Sequence, residues 1–395
     1  MQPIKLTVYG KYWDSQIYQG CLFLFEMDGS IKTLDWDKLF DFFQMDEKLK
    51  IAFEAAFKKS SLLYSKDNQN LMNDIEIKNI LRSKFKRLQN CDLNVDIQDI
   101  INCTLNTQDN KFPFPHADSE IYGKEVYIAS RDGVFSAPCL SKTKYSISTK
   151  LQKHWDAPCL RVTGSYGNIA IAAGNEGLYE KEVIGNTVSS NDPQKLSDIH
   201  CSDCNWNYYS IFGSSYIESG FLAYQEQPTK NKYEYDHVFS FNSDEDDNEN
   251  LFNTDIIKAE SIFGNSEYSW GAKDKICQIT ESKIKVYNFN PWKENKYLYR
   301  GEIDINKGDG DFVSAKIASF GTLIELDNAL VILRSDDEIT RIEGEPVNWR
   351  VFPRSKFYEN QLHVIFDDRL EIYSFNHDYF VNQDKKLSGY KMRIA

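Results

Sequence analysis

Apolar and polar positions along this chain fall into short runs that alternate or stay apolar for five or six residues, then break. The stretch GCLFLFEMDGSIKTLDWDKL, residues 20–39, places an apolar run before an Asp-Gly pair and a half-alternating run after it. That pattern predicts a β-hairpin, because a two-residue turn needs positive φ and glycine tolerates it. The same order returns in GKEVYIASRDGVFSAP from Gly123, GNIAIAAGNEGLYEKEV from Gly167 and KDKICQITESKIKVYNF from Lys273. It returns again in TLIELDNALVIL from Thr322 and NQLHVIFDDRLEIYSF from Asn360. Asp28-Gly29, Asp132-Gly133, Asp327-Asn328 and Asp367-Asp368 take the turn positions.

The hairpins recur with a period. Tyr122-Gly123, Tyr166-Gly167, Phe212-Gly213, Phe263-Gly264 and Phe320-Gly321 stand roughly 44 to 57 residues apart, near the spacing of propeller blades. The residue before each pair is Ile or Ser. Units opening near Gly20, Gly123, Gly167, Gly213, Gly264, Gly321 and Asn360 make about seven. The predicted class is therefore all-β, a seven-bladed β-propeller forming one domain over 1–395. A six- or eight-bladed ring is the alternative, because the unit from Gly213 to Tyr224 is poorly patterned. A ring of small sheets buries the face that each sheet alone would expose, and pairing of the N-terminal KLTVYG with the last blade would close it.

Three runs carry a family resemblance. SIKTLDWD (30–37), SKIKVYNF (282–289) and RLEIYSF (369–375) resemble the closing third strand of WD40-type repeats, where a Trp-Asp pair or an aromatic-polar substitute ends the strand. LRVTGSYGNIAIAAGNEGLYE resembles a succession of the first three strands of such a repeat. Gly-His dipeptides are absent, and one third strand alone carries a true Trp-Asp. The resemblance implies a divergent member of the WD40-like propeller superfamily.

The first interval is about twice the period, which places an insertion of roughly 50 residues in or after the first blade, within 40–105. Its pattern is helical. DEKLKIAFEAAFKK puts Leu49, Phe53, Ala56 and Phe57 on one face. A second helix is expected from Asn73, with Glu76 as its capping-box partner and an apolar stripe of Ile77, Ile80, Leu81 and Leu88, Phe85 lying at the edge. Its other face carries Lys78, Arg82, Lys84, Lys86 and Arg87, the most basic short segment of the chain. Such a face is either solvated or a docking element for an acidic partner. Aromatic side chains do not interleave with it as single-strand nucleic-acid binding requires, so a protein partner is favoured over nucleic acid.

Bulk composition narrows the partners further. With a formal net charge of -13 the protein repels phosphate backbones unless a local basic patch intervenes. An aromatic share of 14% suits strands and argues against a disordered chain. The N-terminus shows no basic-then-apolar leader, and no apolar run reaches the length of a membrane span, so a cytoplasmic location with reduced cysteines is expected.

Candidate chemistry is sparse. His200, Cys201 and Cys204 form the sharpest cluster, since a Cys-x-x-Cys knuckle brings two thiolates to one Zn²⁺ and His200 adds a nitrogen. A closed zinc site needs a fourth ligand, with Cys159 or His154 as the candidates; otherwise the pair are ordinary thiols in an inter-blade loop and the protein has no cofactor. NSDEDDNENLFNTD from Asn242 has EF-hand-like offsets but Glu249 where the loop needs glycine, and DINKGDGDF from Asp304 offers oxygen ligands in a flexible turn. No nucleophile elbow, P-loop or His-Glu-x-x-His occurs. The expected role is a non-enzymatic interaction scaffold in a larger cytosolic assembly. The alternatives are a small-molecule-binding or hydrolytic propeller with a site at the channel mouth, and nucleic-acid contact through the basic helix.

Overall fold

Seven sheets, each built of antiparallel hairpins, follow one another around a ring. The computed structural model describes residues 2–43, 45–58, 74–141, 144–184, 187–188, 192–225, 254–280, 283–305, 310–334 and 338–375. Each sheet runs outward from a first strand at the axis. These axial strands are Tyr12–Tyr18, Asp118–Tyr122, Arg161–Ser165, Asp203–Asn207, Tyr268–Ala272, Phe312–Ala318 and Asn348–Val351, one per blade. The N-terminal strand Ile4–Tyr9 pairs antiparallel with Arg369–Ser374, Leu6 facing Ile372, and so closes the ring in the seventh blade. A ring closed this way leaves no blade with an open face, because each is sealed by a neighbour. The chain is thus a seven-bladed β-propeller whose last blade is completed by the N-terminal strand. The three runs that resemble WD40 third strands occupy that position in the first, fifth and seventh blades.

The aromatic-glycine repeat has a physical cause, and its phase is not uniform. Tyr122 ends the first strand of its blade, and Tyr166 and Phe320 sit in the turn that follows the first strand of theirs. From there each ring lies on the next blade. Tyr122 packs where a Cβ on Gly164 would meet its ring at 2.3 Å, and its hydroxyl accepts the Gly167 N–H at 2.7 Å. Tyr166 meets Tyr209 at 4.2 Å between centroids, and Phe320 stacks on Phe375 at 4.1 Å. Phe212-Gly213 instead lies inside a second strand, and Phe263-Gly264 precedes a first strand. The corresponding turns of the fourth and fifth blades are held by Tyr208 and Lys273, both at positive φ. Blade count and blade phase are therefore separate pieces of information.

The Asp-Gly signals fall in the turn between second and third strands. Gly29 has φ +81°, in the left-handed region that the hairpin demands.

Helices occupy the space between the third strand of the first blade, Ser30–Asp35, and its fourth, Thr104–Asp109. Trp36 of the Trp-Asp pair is fully buried and donates its indole N–H to the Phe57 carbonyl at 2.9 Å. Gln361 of the seventh blade donates to the same carbonyl at 2.7 Å, so the C-terminus of helix Glu47–Phe57 is satisfied by two blades. The helix Ile75–Leu88 is capped by Asp74, which accepts from the N–H groups of Glu76 and Ile77. Asn73, the cap expected from the sequence, lies outside the described residues. The buried stripe also differs from expectation. Leu81, Phe85 and Leu88 are buried and Ile77 packs beside them, while Ile80 is 55% exposed. Phe85 is central because i, i+4 spacing from Leu81 places it on the facing stripe. These helices share one apolar cluster with Leu6 and Val8 of the closing strand and with Leu370 and Ile372 of the strand it pairs with. Leu93–Val95 adds a parallel strand beside Ile4–Tyr9, covering the outer edge of the closed blade.

Candidate functional site

Charged side chains converge on the propeller axis, on strands where the sequence pattern announces nothing. Asp14 and Asp118 belong to the first and second axial strands, Arg161, Asp203 and Arg350 to the third, fourth and seventh, and Lys316 to the sixth. Arg350 grips Asp14 in bidentate fashion, Nε to Oδ1 and Nη2 to Oδ2, each at 2.7 Å. Its remaining nitrogen donates to Asp118. Arg161 donates from Nη1 to Asp118 at 2.8 Å and from Nε to Asp203 at 3.0 Å. An alternating chain of carboxylates and guanidiniums thereby joins five blades. Asp14 is completed by Ser119 Oγ at 2.5 Å and His116 Nε2 at 2.9 Å, and Asp118 by the Val162 N–H at 3.1 Å.

Burial by itself would push these carboxyl groups up. Arg350 and His116 more than offset it at Asp14 and hold that carboxyl far below the usual range. Arg161 and Arg350 do the same at Asp118. Lys316 moves the other way. Burial, reinforced by the Arg161 charge, pushes its ammonium down to about 8, with Asp203 and Asp118 opposing. Its Nζ lies 5.3 Å from the centroid of the Trp349 ring and makes no hydrogen bond or ion pair among the described residues.

A cavity of about 440 Å³ opens beside this chain of charges. It is bounded by the axial strands and by residues 352–358, part of the loop joining the first two strands of the seventh blade. That loop crosses the channel end, since it touches blades on opposite sides. Arg354 donates to Glu120 of the second blade and to Thr163 Oγ1 of the third, the latter at 3.0 Å. Lys273 of the fifth blade donates to the Pro353 carbonyl at 3.1 Å, and the Gly20 N–H of the first reaches Tyr358 Oη at 3.2 Å.

The basic face of helix Ile75–Leu88 lies apart from the axis. Arg82, Lys86 and Arg87 are exposed and Lys78 and Lys84 half-buried. Lys84 donates to the Lys48 carbonyl, and Arg87 pairs with Asp46 at 3.3 Å, so these two cations pin the helix to its neighbour. Exposed isoleucines stand on the same group of helices, Ile75 at 66% and Ile97 at 67%.

His200, Cys201 and Cys204 are not assembled around a common point. Cys201 and Cys204 are buried in the apolar cluster between the third and fourth blades, where burial pushes both thiols well up. Cys201 donates to the Asp203 carbonyl at 3.2 Å, and His200 Nδ1 faces Ser215 Oγ at 3.1 Å. Among the described residues, no group of three or more His, Cys, Asp or Glu side chains could hold a metal ion. His154, raised above as a fourth ligand, is buried beside Ser136 Oγ at 2.8 Å. All eight cysteines carry free thiols, and Cys91 alone of them is not buried. Residues 242–253 of the EF-hand-like run and 306–309 of the second oxygen-rich run lie outside the described residues.

Comparison with protein-family models finds no match, and comparison with curated proteins finds none either. Among solved structures, similar folds include the computationally designed Ika8 protein, at 8% identity over 95% of this chain and 100% of that one, with TM-score 0.43. The Cps50 (Swd1) β-propeller domain of Myceliophteria thermophila aligns at 8% identity over 66% of this chain and 96% of its own, with TM-score 0.38. Hsv2 of Kluyveromyces lactis aligns at 8% identity over 84% of this chain and 73% of its own, with TM-score 0.40. No helix among the described residues is long and apolar enough to cross a membrane.

Proposed function

We propose that this propeller is a non-enzymatic platform that docks a protein partner through the helices of its first blade and the adjoining loops, as a subunit or regulator of a larger cytosolic assembly. The observation that carries this reading is the placement of Arg82, Lys86 and Arg87 on the exposed side of a helix whose other side is locked by Phe85 into the core. A rigid basic face on a protein of net charge -13 suits an acidic patch on another protein, and exposed Ile75 and Ile80 add apolar contact at its edge. Nucleic acid is disfavoured by the overall charge, which repels a phosphate backbone beyond the reach of one helix.

The test is capture of partners from native extract by the intact protein and by a Lys78→Glu, Arg82→Glu, Lys86→Glu triple variant. The expected result is a stoichiometric acidic partner, retained by the wild type, lost by the variant and released by raised salt. Equal capture by both proteins, or recovery of RNA or DNA with a steep salt dependence in place of protein, would sink this reading.

A further inference from the structure

The cavity at the channel end has a charge inventory that defines what it can hold. Three arginines line it, and each is consumed: Arg350 by Asp14 and Asp118, Arg161 by Asp118 and Asp203, Arg354 by Glu120. Three carboxylates of the lining, Asp118, Glu120 and Asp203, together with Asp14 behind Arg350, therefore meet these three guanidiniums. Two lysines, Lys316 inside and Lys356 at the exposed rim, tip the total to a single positive charge. Lys316 is the cation inside the rim that makes no hydrogen bond or ion pair among the described residues. Around it the walls are largely apolar, with Ile17, Val162, Ile317, Val351 and Phe352 contributing. A volume of about 440 Å³ falls in the ordinary range for small-molecule sites.

The geometry points to a binding site for a small organic monoanion, a carboxylate on a compact apolar body, with its acid group on Lys316 Nζ and its body against the apolar wall beneath the loop 352–358. A half-buried ammonium that rests on a ring face and lacks a hydrogen-bonding acceptor is held at a cost, and a carboxylate brought to it replaces the lost hydration with a charge-assisted hydrogen bond. One negative charge brings the cavity to neutrality. A phosphate dianion would overshoot that balance and would meet guanidiniums whose donors are already committed. This inference does not depend on the docking role above, because no residue of the helix Ile75–Leu88 lines the cavity.

Isothermal titration of the full chain with hexanoate and benzoate, against hexanamide and benzamide at the same millimolar concentrations, tests it directly. The expected result is saturable binding of an acid, at least tenfold weaker for its amide. Lys316→Met should lose that binding tenfold or more, and Lys316→Arg should keep most of it. Binding should also weaken from about pH 7 to about pH 10, since Lys316 loses its proton within that span while Arg161, Arg350 and Asp118 keep their charges. Acid and amide binding alike, an unaltered constant in Lys316→Met, stronger binding of inorganic phosphate than of either acid, or no heat from either acid would each overturn the assignment. The acid-amide comparison uses wild-type protein alone, so a misfolded Lys316→Met would leave the result intact.

Discussion

The propeller axis and the helix Ile75–Leu88 both concentrate charge, yet the two regions do opposite things with it. At the axis, guanidiniums and carboxylates are buried and matched to one another at 2.7 to 3.0 Å across five blades. Removing one member there strands the others without water. On the helix, Arg82 and Lys86 face solvent, where a change of sign costs the fold little and leaves the partner to notice. Buried charge in this molecule orders the ring; exposed charge is what another molecule can meet. Lys316 belongs to the first region by position and to the second by chemistry, which is why it marks a ligand site.

The sharpest way to break this contrast is Arg350→Met. It leaves Asp14 and Asp118 short of a counter-charge and should cost about 3 to 5 kcal/mol, read by chemical denaturation. A loss near zero would mean the axial chain is solvated and the contrast false. Phe85→Ala should come close behind, at about 3 kcal/mol, because the emptied site joins the helix to the closing strand. The same packing argues that excising Asp46 to Asn90 would unfold the ring rather than merely abolish docking. Retention of a cooperative melt by the excised protein would show the helices to be an accessory.

Acid offers a smaller, reversible perturbation. Asp14 and Asp118 have folded-state affinities for protons below their unfolded ones, so their stabilisation is present above about pH 4 and is lost as the pH falls through and below that value. Thermal melts taken downward from about pH 5 should therefore drop steeply, and Arg350→Met should drop less because its carboxyls are no longer depressed. Parallel curves for the two proteins would remove the axial pair from the explanation. Least of all should Arg82→Glu move the melt, whereas partner capture should fall; a large shift in Tm would show that Arg82 is structural.

Repetition and patterning are open to reading because they are local. Short apolar runs around Asp-Gly turns, the recurrence of aromatic-glycine pairs, and i, i+4 spacing in Glu47–Phe57 can all be read along the chain. They point to an all-β ring of about seven units, with six or eight left open, and to a helical stretch after Trp36; the seventh blade and its closure by the KLTVYG strand are what the structure shows. They fail where local cues are ambiguous. Phe212-Gly213 and Phe263-Gly264 mimic a turn they do not form, Asn73 and Asp74 both qualify as a cap by residue type, and Phe85 stands at the edge of the apolar stripe in sequence yet at its centre in the fold.

The axial site is of the other kind. Asp14, Asp118, Arg161, Asp203, Lys316 and Arg350 are separated by up to 336 residues, and none stands in a motif. Each is one of several polar residues in a short strand, indistinguishable in sequence from an outward-facing one. Only closure of the ring, which turns every first strand toward a common axis, brings the carboxylates and guanidiniums within hydrogen-bonding distance and shuts water out. Local periodicity thus determined which segments become blades, while the pairing and the leftover charge at Lys316 arose from long-range geometry that sequence spacing does not encode.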